Sequence, residues 1–200
     1  MVDSELKELV VKILRRAVWD QYSIRDLALV ACGARPMCLM ETDDPDTLAL
    51  ADALERRGFH AVRWPHFEKQ TIVLGAEEAA VAQAADIHRG LKILRDEDFV
   101  DGIWRRDAER LRQETRLGEL LGYPPFSIRA FIENRSALIP RHWSSDELRF
   151  FLCTHGGTTE EEIAARAWTD ALVEAFRENY GQETLELIPP VMFADGGSPA

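Results

Sequence analysis

Leu6, Leu9, Val10, Ile13, Leu14 and Ala17 recur at steps of three and four residues between Ser4 and Asp20, which puts them on one face of an amphipathic helix, and Asp3 or Ser4 is placed to cap its start. Leu27, Ala28, Val30 and Ala31 continue the pattern from Ile24 to Cys32, where Gly33 and Pro36 close it, so a second short helix, or a helix leading into a strand, is predicted. Met37 to Glu41 is a short apolar run that reads as a strand. Asp43, Asp44, Pro45 and Asp46 then supply caps for a helix over Thr47 to Arg57, with Leu48, Leu50, Ala51 and Leu54 on its buried face. Gly58 ends that helix, His60 to Trp64 alternates as a strand does, Thr71 to Gly75 reads as a third strand, and Ala76 to Gly90 as an alanine-rich helix. The short link between the second and third strands makes them an antiparallel pair. Residues 37–90 thus form a strand, helix, strand, strand, helix unit with its helices on one face, a small three-layer α/β sheet being the alternative.

Farther along, Phe99, Val100, Ile103, Trp104, Leu111, Leu117, Leu120 and Leu121 predict helix from Asp96 to Gly122, and Ile128 to Asn134 a further short helix. Asn134 to Ser145 has no period and reads as a loop. Leu148 to Thr154, rich in aromatic and branched residues, predicts a strand, and Glu160 to Glu162 open a helix with Ile163, Ala167, Ala171, Leu172, Ala175 and Phe176 as its apolar stripe. Leu185 to Ile188 is expected to add an edge strand, and 195–200 to fray. The class expected is α+β, a small sheet of three to five strands with helices packed on it, preceded and interrupted by amphipathic helices. The chain reads as one domain over 1–200: N-terminal helices in 1–33, the mixed unit in 37–90, and a helical segment with a C-terminal strand and helix in 96–188.

The most specific stretch is Leu117 to Phe131, which begins Leu-Gly-Glu-Leu-Leu-Gly-Tyr-Pro-Pro-Phe-Ser. Gly122 stands where a left-handed helix cap is wanted, and Pro124 and Pro125 cannot continue the helix before them. The stretch resembles the Leu-Gly-x-Leu-Leu-Gly-Tyr-Pro-x-Cys-Cys segment of a prokaryotic family, domain of unknown function family 483. Phe126 and Ser127 stand where that family carries adjacent cysteines, so any metal or redox chemistry those thiols support is not expected here. The resemblance implies no particular activity.

Thirty-five acidic residues against 24 basic ones give a formal charge of −11, which repels nucleic-acid phosphates and anionic lipid unless a local patch overrides the mean. Arg105, Arg106, Arg110, Arg112 and Arg116 are such a concentration, yet Asp107, Glu109 and Glu114 alternate with them at helical spacing, so a solvated face of paired charges is the plainer reading. Neither a signal-peptide pattern nor an apolar run long enough to span a bilayer is found, and Cys32, Cys38 and Cys153 are too few and too uneven for a disulfide framework. A cytoplasmic protein is expected, with no membrane partner, no cofactor and no metal site; a small molecule or peptide, a protein partner or a second copy of the chain are the partners left open.

Candidate chemistry is sparse. His155, Gly156, Gly157 and Thr158, between the expected last strand and its helix, offer close-approach glycines, a hydroxyl and helix-start amides, although the plain reading is a structural turn. With Tyr123 and Arg129 they make the expected ligand site, Tyr123 supplying a rigid apolar wall and Arg129 an anion partner. Cys153 with His155 falls short of a metal set, Asp43, Asp44 and Asp46 are better read as helix caps than as cation ligands, His60, Trp64 and His66 form an aromatic corner, and His88 reads as a surface residue. No reaction is legible. The function expected is that of a protein in a small-molecule or peptide-tailoring pathway, enzyme or accessory subunit, with a non-catalytic ligand-binding or dimerisation module as the alternative and nucleic-acid handling a distant third.

Overall fold

The computed structural model describes residues 2–16, 21–92, 99–100, 103–104, 107–133, 144–150 and 158–190. Helices α1 (Ser4–Leu14) and α2 (Gln21–Ala31) precede strand β1 (Met37–Thr42), helix α3 (Pro45–Glu55), strands β2 (His60–His66) and β3 (Lys69–Gly75) and helix α4 (Glu78–Lys92). Two short strands, β4 (Phe99–Val100) and β5 (Ile103–Trp104), are followed by α5 (Ala108–Leu120), α6 (Pro125–Ile132), α7 (Ser145–Arg149), α8 (Thr159–Tyr180) and α9 (Gln182–Leu185). The fold is α+β, with helices packed on a small sheet.

Strand β3 is the centre of that sheet. It pairs antiparallel with β1, Leu39 opposite Val73, and with β2, Val62 opposite the same Val73, so β1 and β2 run parallel on either side of it. Alternation sends Cys38, Met40, Ile72 and Leu74 to one face, where they join the main core with Leu6, Val10, Ile24, Leu27, Leu50, Leu54, Phe176 and Tyr180 from α1, α2, α3 and α8. Met37, Leu39, Val62, Trp64 and Val73 point the other way, onto Val81, Ala84 and Ala85 of α4 and Leu117, Leu120 and Leu121 at the end of α5. Both faces are covered, not one as expected, because every strand carries apolar residues at odd and even positions alike.

Other boundaries move for identifiable reasons. The region expected as helix from Asp96 holds β4 paired with β5, and helix begins only after Asp107, whose carboxylate accepts a hydrogen bond from the Arg110 amide at 2.7 Å. The expected strand at Leu148 is helix through Arg149: Ser144 and Glu147 make a reciprocal capping box, and local capping outweighs the β preference of Leu148 and Phe150. Residues 151–154 of that strand lie outside the described residues. Leu185 to Ile188 is not a strand either, since α9 turns the chain there and buries Leu185 and Ile188 in the main core. The buried stripe of α8 is Ala165, Thr169, Leu172, Val173, Phe176 and Tyr180, whereas Ile163, Ala167 and Ala171 face solvent. Tyr180 sets the phase, its hydroxyl donating to the Ala28 carbonyl of α2 at 3.1 Å.

Candidate functional site

Gly122 is the pivot of the corner between α5 and α6. Its φ is +76°, its amide donates to the Glu119 carbonyl and that of Tyr123 to the Gly118 carbonyl, both at 3.0 Å, the paired bonds of a Schellman ending. A side chain on Gly122 would place its Cβ 2.6 Å from Cδ of Pro36, so the corner is seated on the loop that leads into β1. Pro124 then caps α6 and Pro125 occupies its first turn, where a missing amide costs nothing. The prolines that stop one helix start the next. Four residues before Gly122, Gly118 lets α6 approach so closely that a Cβ there would lie 2.9 Å from Cγ1 of Ile128.

Between the two helices and the end of α4 lies a cavity of about 330 Å³, near the lower end of the range of ligand pockets. Leu91, Leu117, Leu121, Ile128 and Phe131 make its apolar wall, and Glu114, Tyr123 and Ser127 contribute the polar side chains. Seven of its nine lining residues fall within the Leu117–Phe131 stretch. Ser127 is among them. Glu114 is nearly enclosed, with its carboxylate 3.0 Å from Nε of Arg110. Arg112 pairs with Glu109 and Arg116 with Glu119 on the same helix, which accords with a solvated face of matched charges; Arg105 and Arg106 lie outside the described residues.

Arg35 stands behind the Leu121 and Tyr123 side of this cavity. Its guanidinium donates from Nη2 to the Leu121 carbonyl at 2.8 Å and lies 4.9 Å from the centre of the Tyr123 ring. Asp26 is 3.7 Å away and is bonded more closely to Arg25, whose Nη1 donates to the Arg149 carbonyl at 2.8 Å. Two buried arginines therefore share one carboxylate, and each ties down the last carbonyls of another helix.

Of the expected site residues, Tyr123 lines the cavity. Arg129 is exposed and borders a neighbouring groove that Tyr123 and Ile128 also line, with Thr115, Glu119, Pro125 and Ile132. Thr158 is the cap of α8, its hydroxyl accepting from the Glu161 amide at 3.2 Å, a structural use of that oxygen. His155, Gly156, Gly157 and Cys153 lie outside the described residues. Arg35, Glu114 and Leu91 escaped sequence reasoning. Glu114 could have been found, because Glu114, Leu117, Gly118 and Leu121 fall on one helical stripe; Arg35 could not, since its role depends on a contact across 86 positions.

A second polar cluster lies on the α4 face of the sheet. His66 Nδ1 is 3.4 Å from a Glu41 carboxylate oxygen, Trp64 packs against His88 with ring centres 5.6 Å apart, and Arg89 lies 4.5 Å above the Trp64 ring. His88 is half-buried, not a surface residue, and burial, followed by the nearby His66, holds its pKa below the usual imidazole value. Asp44 caps α3, accepting from the Thr47 amide at 2.7 Å, as the capping reading of the aspartates requires. Among the described residues no three His, Cys, Asp or Glu side chains are grouped to hold a metal ion, and no helix is long and apolar enough to cross a membrane.

No family model matches this chain, and neither a curated protein nor a solved structure matches it.

Proposed function

We propose that this chain is a small-molecule-binding protein that holds its ligand in the cavity between α5 and α6 and serves a small-molecule or peptide-tailoring pathway as an accessory component. The observation that carries the reading is that one short stretch, Leu117 to Phe131, supplies both the rigid corner and most of the cavity wall. Two glycines that permit close approach and two prolines that fix the turn hold this wall in place before any ligand arrives, which lowers the ordering cost of binding. An apolar lining with a few polar groups suits retention of a mostly apolar molecule. Kinship with domain of unknown function family 483, through the same stretch, belongs to this proposal, as does residence in a reducing cytoplasm, where thiols such as Cys32 and Cys38 persist.

Titration with the neutral fluorescent probe N-phenyl-1-naphthylamine tests the reading. The full chain is expected to bind it and enhance its emission, and Leu117→Trp, which fills the cavity, is expected to abolish the enhancement with the far-UV circular dichroism unchanged. Equal enhancement by the parent and a folded Leu117→Trp variant would place the apolar site elsewhere and end this reading.

A further inference from the structure

We propose that the ligand of this cavity is an apolar carboxylate, or another singly anionic amphiphile, whose acid group is received by Arg35; the inference rests on the cavity reading above and names the ligand's class. It starts from a charge imbalance. The side chains of Arg25 and Arg35 are only 4% and 3% exposed, and the one carboxylate they share, Asp26, is 20% exposed. Arg25 takes most of it, with Nη2 at 2.8 Å and Nε at 2.9 Å from Oδ1, whereas Arg35 approaches no nearer than 3.7 Å, beyond hydrogen-bond reach. Among the described residues the buried cluster thus sets two positive charges against one negative.

Among the described residues Arg35 is also incompletely bonded, although Asp26 and the Tyr123 side chain beside it favour its charged form. Nη2 has the Leu121 carbonyl, but Nε is buried without an acceptor among the described residues. A buried guanidinium that is incompletely bonded is costly unless something supplies the missing anion. The faces of Tyr123 and, for Arg25, of Tyr22 and Phe150 offset part of that cost as cation–π contacts. Arginine's planar fork is the side chain best matched to a carboxylate.

Geometry connects this cation to the cavity. The two residues that touch Arg35 from that side, Leu121 through its carbonyl and Tyr123 through its ring, both line the cavity, so the guanidinium lies one side chain behind the wall. Rotation of the Tyr123 ring about its Cα–Cβ bond would open Arg35 to a ligand whose chain lies along Leu117, Ile128 and Phe131. The carboxylate inside the cavity, Glu114, is paired with Arg110 and presents little net repulsion to an incoming anion.

Calorimetric titration of the full chain with octanoate, octanamide and 1-octanol tests this. Octanoate is expected to bind about tenfold tighter than either neutral analogue, the ratio that a charge-assisted hydrogen bond contributes. In Arg35→Lys and Arg35→Met the preference is expected to shrink or vanish while the affinity for octanamide is kept. Should Arg35→Met fail to fold, Arg35→Lys and the ligand series in the parent chain still decide. Equal affinities for the three ligands, or a preference that survives both substitutions, would overturn the carboxylate assignment and leave the cavity reading standing. Binding of none of them, or octanoate binding that Leu117→Trp does not disturb, would overturn both.

Discussion

Gly122 illustrates how one residue can be required twice. A left-handed backbone excludes branched side chains, and the contact with Pro36 excludes any Cβ at all. Gly58 ends α3 with a similar φ of +89°, but nothing lies within 4 Å of the space a Cβ would take there. Asparagine tolerates the left-handed region, so the two sites separate the two effects. Gly58→Asn is expected to cost about 1 kcal/mol or less, and Gly122→Asn about 2 kcal/mol or more, since overpacking adds to the backbone term. Urea denaturation of the two variants measures the difference. Similar losses at both positions would mean that Pro36 yields without strain.

At the scale of the element, α7 shows local chemistry overruling composition. Leu148 and Phe150 favour a strand, yet the Ser144 hydroxyl accepts from the Glu147 amide and the Glu147 carboxylate accepts from the Ser144 amide. The same carboxylate, nearly enclosed, also meets Arg166 of α8, so the cap docks α7 onto the longest helix of the described residues. Glu147→Ala removes the reciprocal cap and the ion pair together. A loss of about 1–2 kcal/mol is expected by thermal or urea unfolding, with Glu147→Gln recovering part of it because an amide oxygen can still accept from Ser144. If Gln behaves no better than Ala, the ion pair with the half-exposed Arg166 matters more than the cap.

Across the whole molecule, α2 is the connecting element. Arg25 holds the end of α7 through the Arg149 carbonyl, Arg35, just beyond α2, holds the end of α5 through the Leu121 carbonyl, and the Ala28 carbonyl receives the Tyr180 hydroxyl of α8. Helix ends from three distant parts of the chain thus converge on residues 25–35, with Asp26 as the counter-charge. Asp26→Asn leaves two buried guanidinium groups without a carboxylate among the described residues and is expected to destabilise the protein by about 3 kcal/mol. Its denaturation midpoint gives the result. A near-neutral effect would show that the carbonyls and aromatic faces suffice to hold both cations, and would weaken the case for a missing anion beside Arg35.

The helices α1, α2, α3 and α4, the three strands of the sheet, the antiparallel pairing of β2 with β3 and the turn at Gly122 were all legible in the sequence, because hydrophobic period, caps and glycine stops act within a few residues of the positions they govern. The sequence also singled out Leu117 to Phe131, the stretch that supplies most of the cavity's lining. Tertiary structure alone decided that β3 is central and that both faces of the sheet are covered, for strand order is a property of pairing between segments and leaves no trace in the period of any one of them. It set the phase of α8 through a hydroxyl reaching α2, and turned the α5–α6 corner into a cavity by bringing Leu91 alongside. It put Arg35 behind that cavity as well. A charge's partners depend on what the fold brings near it, and a sequence records only the charge.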